Sequence, residues 1–195
     1  MLPEPLHSVI VGSLLGDACL ERNGRHWRLR FDHGWREEAY AWWKFRLLHT
    51  IAASTPRWIE VRDRRTGRIY RHVRFDSRSI PELEAYAGWF YEDGRKRVPP
   101  IIDMLLTSSL ALAVWYMDDG HRRADCRALR LNTQGFLCEE VDLLIRTLHR
   151  NFGIAARRHR VKANQWVIYL PVQTAQRFCD LIRPHIPPEM GYKLL

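Results

Sequence analysis

Cysteine is scarce in this sequence, and its four cysteines lie far apart without forming any C-x-x-C pair. This pattern excludes a thiolate zinc site and a disulfide scaffold, because both need closely spaced or numerous cysteines. We therefore expect reduced thiols in a protein of a reducing compartment. The cysteines are Cys19, Cys126, Cys138 and Cys179.

Long apolar runs are absent as well. No apolar stretch reaches the about 20 residues that a membrane-spanning helix needs, and the amino-terminal MLPEPLHS lacks the basic-then-apolar pattern of a secretion signal. We expect a protein that has no membrane partner, is not secreted, and is located in the bacterial cytoplasm or in an organellar matrix.

Lysine is the third scarce residue, although the chain is strongly basic. Its 31 lysines and arginines exceed the 22 acidic residues and give a formal net charge of +9. Since few of these are lysines, arginine carries nearly all of the charge, and its planar fork suits phosphate and guanine. The excess predicts a polyanionic partner, because neutralised phosphates release condensed counterions. The lysines are Lys44, Lys96, Lys162 and Lys193.

One order of predicted elements occurs twice along the 195-residue chain. Hydrophobic residues make up 46% of the sequence, enough for a sizeable core that two small units can share. Each unit has the pattern of an apolar helix, a hairpin, a second helix, another hairpin and a last helix. A hairpin at 57–76 is predicted to turn at Thr66-Gly67. Its apolar face is expected to hold Ile59, Val61, Val73 and Phe75.

Each apolar helix ends in an acid, Asp17 in the first unit and Asp119 in the second. A carboxylate at this position faces the negative end of the helix dipole, which is unfavourable. If the units pack about a pseudo-twofold axis, the two acids become neighbours, and divalent cations such as Mg²⁺ would offset their repulsion. Small residues would let the helices approach closely, and these are Gly12, Gly16 and Ala113.

The segments VGSLLGDA and LAVWYMDDG resemble the two signature helices of single-chain LAGLIDADG homing endonucleases. The stretches FDHGWREEAYAWWKFRLL, LNTQGFLCEEV and IPPEMGYKLL support the resemblance, which extends over residues 6–195. It implies an α/β (α+β) fold of two αββαββ subdomains, 1–98 and 99–195, that pack through the signature helices. It also implies saddle-shaped antiparallel sheets that bind DNA, and a monomer in which one chain forms a pseudo-dimer.

The resemblance also implies catalytic residues. The penultimate acids of the two motifs, which hold two or three catalytic Mg²⁺ ions at the subdomain interface, fall on Asp17 and Asp119. The family places a lysine near each scissile phosphate, and these lysines fall on Lys96 and Lys193.

Further residues near the motifs have weaker assignments. His33 and Gln134 each end the first hairpin of a unit and are candidates for positioning a water or a phosphate at the edge of the active site. Asp118 is expected to be structural rather than a metal ligand. Ala18 departs from the closing glycine of the motif but leaves the acid intact.

The resemblance assigns the reading of DNA to the hairpins, whose polar faces would lie in the major groove. Because the two units differ at nearly every such position, we expect an asymmetric target. The first unit contributes Arg28, Arg30, Arg62, Arg64, Arg68, His72 and Arg74. The second unit contributes Arg122, Arg123, Arg130, Arg158, Arg160, Lys162, Asn164 and Gln165.

Three functions are compatible with these features. The favoured one is an endonuclease of intron mobility, which hydrolyses both strands of double-stranded DNA with Mg²⁺ and leaves short 3′ overhangs. An RNA-binding maturase, which helps its host intron RNA to splice, would use the same fold without needing the acids. A DNA-binding regulator on this scaffold would be expected to have lost at least one carboxylate, and both are present.

Overall fold

The computed structural model describes residues 2–195 and confirms a mixed α/β fold in which one order of elements occurs twice. The first half contains α1 (Leu6–Leu15), β1 (Cys19–Asn23), β2 (His26–Gly34), α2 (Glu38–Leu48), β3 (Arg57–Arg62), β4 (Ile69–Asp76), α3 (Leu83–Phe90), β5 (Tyr91–Glu92) and β6 (Arg95–Lys96). The second half contains α4 (Ile102–Leu105), α5 (Ser109–Asp119), β7 (Gly120–Arg122), β8 (Leu129–Asn132), α6 (Cys138–Phe152), β9 (Arg157–Lys162), β10 (Gln165–Leu170) and α7 (Val172–Ile182). Short 3₁₀ helices occur at Trp35–Glu37, Arg183–His185 and Pro188–Lys193. The sequence pattern does not predict α4, β5 or β6.

Each half forms a four-stranded antiparallel sheet. The strand orders, β1-β2-β4-β3 and β7-β8-β10-β9, are equivalent in the two halves. One face of each sheet packs against helices, and in the first sheet this face contains the buried residues Leu29, Phe31 and Phe75. The opposite face, called the open face below, carries mostly polar side chains and is the surface that the sequence assigns to DNA.

Helices α1 and α5 pack against each other in the centre of the molecule, as the resemblance implies. Every residue of α1 is buried. A β-carbon added to Gly12 would lie 2.3 Å from the carbonyl oxygen of Ala111 and 2.8 Å from Cβ of Val114. The two backbones therefore meet where only glycine fits, and the carboxyl-terminal ends of both helices lie side by side.

The hairpin of β3 and β4 has a register that corrects one expectation. Ile59 pairs with His72 and therefore shares the open face with it, and Val61 lies on the same face. Trp58, not Ile59, lies opposite Val73. Because β3 is an edge strand with partly exposed residues on both faces, its apolar positions do not show which face is buried.

The two halves share one continuous buried core, to which both central helices contribute. The division into subdomains at residues 98 and 99 stays a prediction. Within residues 2–195, no helix is long and apolar enough to cross a membrane.

We expect Gly12→Ala to destabilise the fold by about 1–3 kcal/mol, because its methyl group would push α1 away from α5. Urea unfolding measures this change. Gly88→Ala in α3 is the matched control, since its methyl group would meet no atom within 4 Å. The control should be neutral or stabilising by about 0.5–1 kcal/mol, as expected for an exposed helical glycine. Equal stability of the two variants would contradict a tight helix contact at Gly12.

Candidate active site and nucleic-acid interface

The two predicted acids lie at the ends of the central helices. Asp119 is the last residue of α5, and Asp17 follows the end of α1 by two residues. Gly16 lets these ends approach, because a β-carbon there would lie 2.5 Å from Cβ of Asp118. The carboxylates of Asp17 and Asp119 accept no hydrogen bond from any residue in the range 2–195, so their charges lack a directly bonded partner.

The missing partners leave both carboxylates poorly stabilised as anions. Burial, followed by the charges of Asp17 and Asp118, raises the pKa of Asp119 to about 7. The pKa of Asp17 is raised as well, although this residue is exposed. The main cause is loss of hydration among the surrounding groups, and the second is the charge of Asp118. Two adjacent carboxylates that repel each other and have free oxygens are a donor set that a divalent cation stabilises.

Asp118 is a poorer metal ligand than its neighbours. Both of its carboxylate oxygens accept hydrogen bonds from Lys44 Nζ, at 2.7 and 2.9 Å. Ligand atoms of Asp17, His33 and Asp118 lie within 4.8 Å of one another. Because an ammonium group already binds Asp118, its oxygens are less available to a cation than those of Asp17 and Asp119. Free carboxylate oxygens of this kind are ligands that Mg²⁺ prefers.

The two predicted lysines lie at the same helix ends as the acids. Lys96 Nζ donates hydrogen bonds to the carbonyl oxygens of Gly16 and Ala18, each at 2.7 Å. Lys193 Nζ donates to the carbonyl oxygen of Met117. The carboxyl-terminal ends of helices favour cations, which explains both placements. Burial lowers the pKa of both lysines, and the nearby acids oppose this effect.

The structure brings the predicted residues together in two clusters. The first, called the Asp119 cluster, consists of Asp119, Lys96 and Gln134, which line one open pocket of about 300 Å³. Lys96 comes from the first half of the chain, whereas Asp119 and Gln134 come from the second. The cluster therefore needs both halves.

The second cluster, called the Asp17 cluster, consists of Asp17, His33, Glu37 and Lys193. His33 is buried on β2, and its Nδ1 lies 3.6 Å from the Glu37 carboxylate. This imidazole lowers the pKa of Glu37, and the negative charge of Glu37 in turn favours the charged form of Lys193. Glu37 was not predicted from the sequence, because acids are common near the first turn of a helix and its position gives no separate signal.

Lys44 is a further residue that the sequence analysis missed. Its side chain on α2 is fully buried against Asp118, and Nζ lies 3.4 Å from Nε2 of His33. Lys44 shares the buried side of α2 with Ala41 and Leu48. A lysine among the apolar positions of a helix is rare unless it is paired, and this spacing is the signal that could have found it.

Strand register divides the predicted DNA-binding residues into groups. Five of them lie on the open faces, namely Arg28, Arg30, His72, Arg74 and Arg130. Five others lie in or beside the turns of the outer hairpins, namely Arg64, Arg68, Lys162, Asn164 and Gln165. Arg123 follows β7 and forms an ion pair with Asp125.

The remaining four predicted residues lie on the helix-facing sides of their sheets, which corrects their expected placement. Arg158 forms an ion pair with Asp142 of α6, and its guanidinium lies 4.6 Å from the ring centroid of Trp166. Strand β9 is almost entirely polar, so its sequence does not tell which alternate residues face the helices, and pairing with β10 decides this. The four are Arg62, Arg122, Arg158 and Arg160.

Other residues occupy the open face of the second sheet and were not predicted. His121 pairs with Arg130, and Arg157 pairs with Tyr169. His159 stacks on Tyr169, with ring centroids 4.3 Å apart. Burial, followed by the charge of Arg130, lowers the pKa of His121 and of His159. Neutral imidazoles offer one donor and one acceptor, which suits contacts with base edges.

The open face of the first sheet differs because carboxylates lie among its arginines. Arg30 donates hydrogen bonds to Asp76 at 3.0 Å and to Glu21 at 2.6 Å. Arg74 is bound by Asp32 in the same way. These contacts hold the arginines in fixed directions. The two sheets therefore present different chemistry, and the asymmetry of the target stays a prediction.

Comparison with known proteins adds independent findings. A sequence profile of the LAGLIDADG DNA endonuclease family matches residues 7–178. The chain is 29% identical to the probable intron-encoded endonuclease 1 of Wickerhamomyces canadensis, over 95% of this chain and 82% of that protein. It is 30% identical to the cytochrome b mRNA maturase bI2 of Debaryomyces hansenii, over 99% of this chain and 74% of that protein. The homing endonuclease I-WcaI bound to its DNA recognition sequence superposes with a TM-score of 0.87 at 28% identity, over 97% of this chain and 85% of that chain.

We expect the metal-free protein to lose stability as the pH rises from about 4 to 7. In this range the folded state binds a proton at Asp119 that the unfolded state, with a pKa of 3.8, has lost. Asp119→Asn should weaken this dependence of stability on pH. It should also raise the free energy of unfolding at about pH 8 by about 1–2 kcal/mol, a modest value because the carboxylate is partly hydrated. Urea unfolding in EDTA measures both effects. A variant less stable than the native chain at that pH would show that the Asp119 charge is compensated.

Proposed function

The chain belongs to the LAGLIDADG DNA endonuclease family, and from this premise we propose that it is a site-specific homing endonuclease. In this proposal the chain acts as a monomer and makes a double-strand break in one long DNA target. The observation that carries the proposal is the pair of unpartnered carboxylates, each with a lysine nearby. Asp17 lies close to the buried Lys193, and Asp119 lies close to the half-buried Lys96. A merely DNA-binding protein has no need for this arrangement.

The chemistry proposed for the site is hydrolysis of one phosphodiester bond in each strand. Mg²⁺ ions held by Asp17 and Asp119 would supply Lewis-acid stabilisation of the phosphate charge and a bound water of lowered pKa. Lys96 and Lys193 offer ammonium groups to the phosphoryl oxygens, whose negative charge increases in the transition state. The helix-end carbonyls hold both ammonium groups in place before the substrate arrives.

His33 and Gln134 have different roles in this proposal. Gln134 lines the pocket of Asp119 and can hydrogen-bond a water or a phosphate oxygen. His33 is buried beside Asp17 and Glu37, so it acts on the charge of these acids rather than reaching the phosphate itself.

The sheets supply the specificity. The arginines on the open faces and in the hairpin turns contact phosphates and base edges in the major groove. Cleavage across the minor groove with short 3′ overhangs is proposed from the resemblance to the family. Because the open faces of the two sheets carry different residues, the target is asymmetric. The biological role is the mobility of a host intron.

A second candidate is an RNA-binding maturase that acts on its own intron RNA. The relative named as a maturase is matched over 99% of this chain, and the basic surface suits RNA phosphates equally well. A maturase alone does not require the unpartnered acids, so their presence favours the nuclease or a protein with both activities.

A cleavage selection from a large genomic or randomised DNA library tests the proposal. It is run with Mg²⁺ and, in parallel, with Ca²⁺ as a cation that supports binding but not cleavage. Recovery of one long asymmetric site that is cut only with Mg²⁺ is the expected result. Binding without cleavage in Mg²⁺ would overturn the nuclease proposal and direct the next binding assay to the intron RNA.

We expect Asp17→Asn and Asp119→Asn each to reduce double-strand cleavage by about 10³-fold or more, since each removes a charged metal ligand. DNA affinity in Ca²⁺ should change far less, as measured by a gel-shift titration. Asp180→Asn on the exposed surface of α7 is a control of the same chemistry and should cleave like the native protein. Loss of binding together with cleavage would make the two acids structural.

A further inference from the structure

One buried ion pair lies beneath the Asp17 cluster. The side chains of Lys44 and Asp118 are both 0% exposed, and Lys44 Nζ lies 2.7 Å from Asp118 Oδ1. Tyr40 also donates its hydroxyl hydrogen to Asp118 Oδ1, at 2.8 Å. An isolated charge at such a depth is strongly unfavourable, so the lysine and the carboxylate depend on each other.

The equivalent place in the other half contains no charges. The end of α1 has Gly16 where the end of α5 has Asp118, and a side chain at both positions would collide. The buried residues of α6 repeat the spacing of those of α2, and by this spacing Leu144 corresponds to Lys44. The pseudo-symmetric fold can therefore form this interface with apolar residues, and overall stability does not explain the ion pair, because apolar replacements of such pairs are often neutral.

The hydrogen bonds of the pair lead to Asp17. The backbone N–H of Asp17 donates to Asp118 Oδ2 at 3.3 Å. Lys44 Nζ lies 3.4 Å from Nε2 of His33, a member of the Asp17 cluster. Among the hydrogen bonds of residues 2–195, none joins Lys44 or Asp118 to the side chains of the Asp119 cluster.

The geometry points to Lys44 and Asp118 as positioning residues that fix the backbone and carboxylate of Asp17, so that cleavage of one DNA strand depends on them more than cleavage of the other. The DNA strand whose cleavage depends on Lys44 and Asp118 is the strand that is cut at the Asp17 cluster. This inference rests on the proposed nuclease function and adds an asymmetry within it. The acceptor oxygen at position 118, rather than the charge, is what the Asp17 N–H needs.

The test is a strand-resolved cleavage assay on a supercoiled plasmid that carries the selected target site, with a different label on each strand. Lys44→Met combined with Asp118→Ala removes the acceptor without leaving an unpaired buried charge. We expect this variant to slow cleavage of one strand by about tenfold relative to the other, the size expected for one lost hydrogen bond. Nicked circular plasmid should accumulate as a result.

A second variant separates the acceptor from the charge. Lys44→Met combined with Asp118→Asn keeps an oxygen at this position. We expect it to restore the cleavage rate of the slower strand to within about threefold of that of the other strand. Leu144→Met is the matched control in the equivalent position of α6 and should change neither strand selectively. If the alanine variant does not fold, as judged by circular dichroism, Lys44→Met with Asp118→Leu carries the same expectation with better filling of the space.

Equal slowing of the cleavage of both strands, or unchanged cleavage by a folded variant, would overturn the inference while leaving the nuclease proposal intact. Failure of the native protein to cut either strand in Mg²⁺ would instead refute the nuclease proposal. The two failures are therefore distinguishable in one assay.

Discussion

The close contact between α1 and α5 is the constraint on which the rest of the structure depends. Gly12 touches the backbone of α5, and Gly16 leaves just enough room for Asp118. This approach places Asp17 and Asp119 beside each other at the negative ends of two helix dipoles, an arrangement unfavourable for the protein alone. The tight contact thus produces both a rigid centre and a strong preference for cations there.

The cations that the chain supplies at this centre are lysines, although arginine dominates elsewhere. Three of its four lysines lie here, and each has a separate geometric role. Lys96 and Lys193 bind carbonyl groups at helix ends and remain close to the acids, whereas Lys44 is fully buried against Asp118. A compact ammonium group fits these narrow places better than a guanidinium fork does. Arginine is concentrated on the sheets, where planar recognition of phosphates and bases is useful.

Features with a local sequence signal could be predicted, and features set by long-range pairing could not. The duplicated order of elements, the central helices and the two acids followed from local patterns, and the two lysines followed from the resemblance to the family. The side of the sheet on which Arg62 and Arg158 lie could not be predicted in this way. Strand β3 is an edge strand and β9 is polar on both sides, so only the pairing register with the neighbouring strand decides which side these residues occupy. Lys44 and Asp118 meet across 74 residues, and no short pattern encodes that contact.

The most direct test of this account is a crystal structure of the protein with its target DNA and Mn²⁺, in which anomalous scattering locates the metal ions. The account predicts Mn²⁺ at about 2.0–2.3 Å from carboxylate oxygens of both Asp17 and Asp119, with Asp118 still bound to Lys44. Mn²⁺ bound to Asp118 in place of Lys44, or no Mn²⁺ at the helix ends, would contradict it.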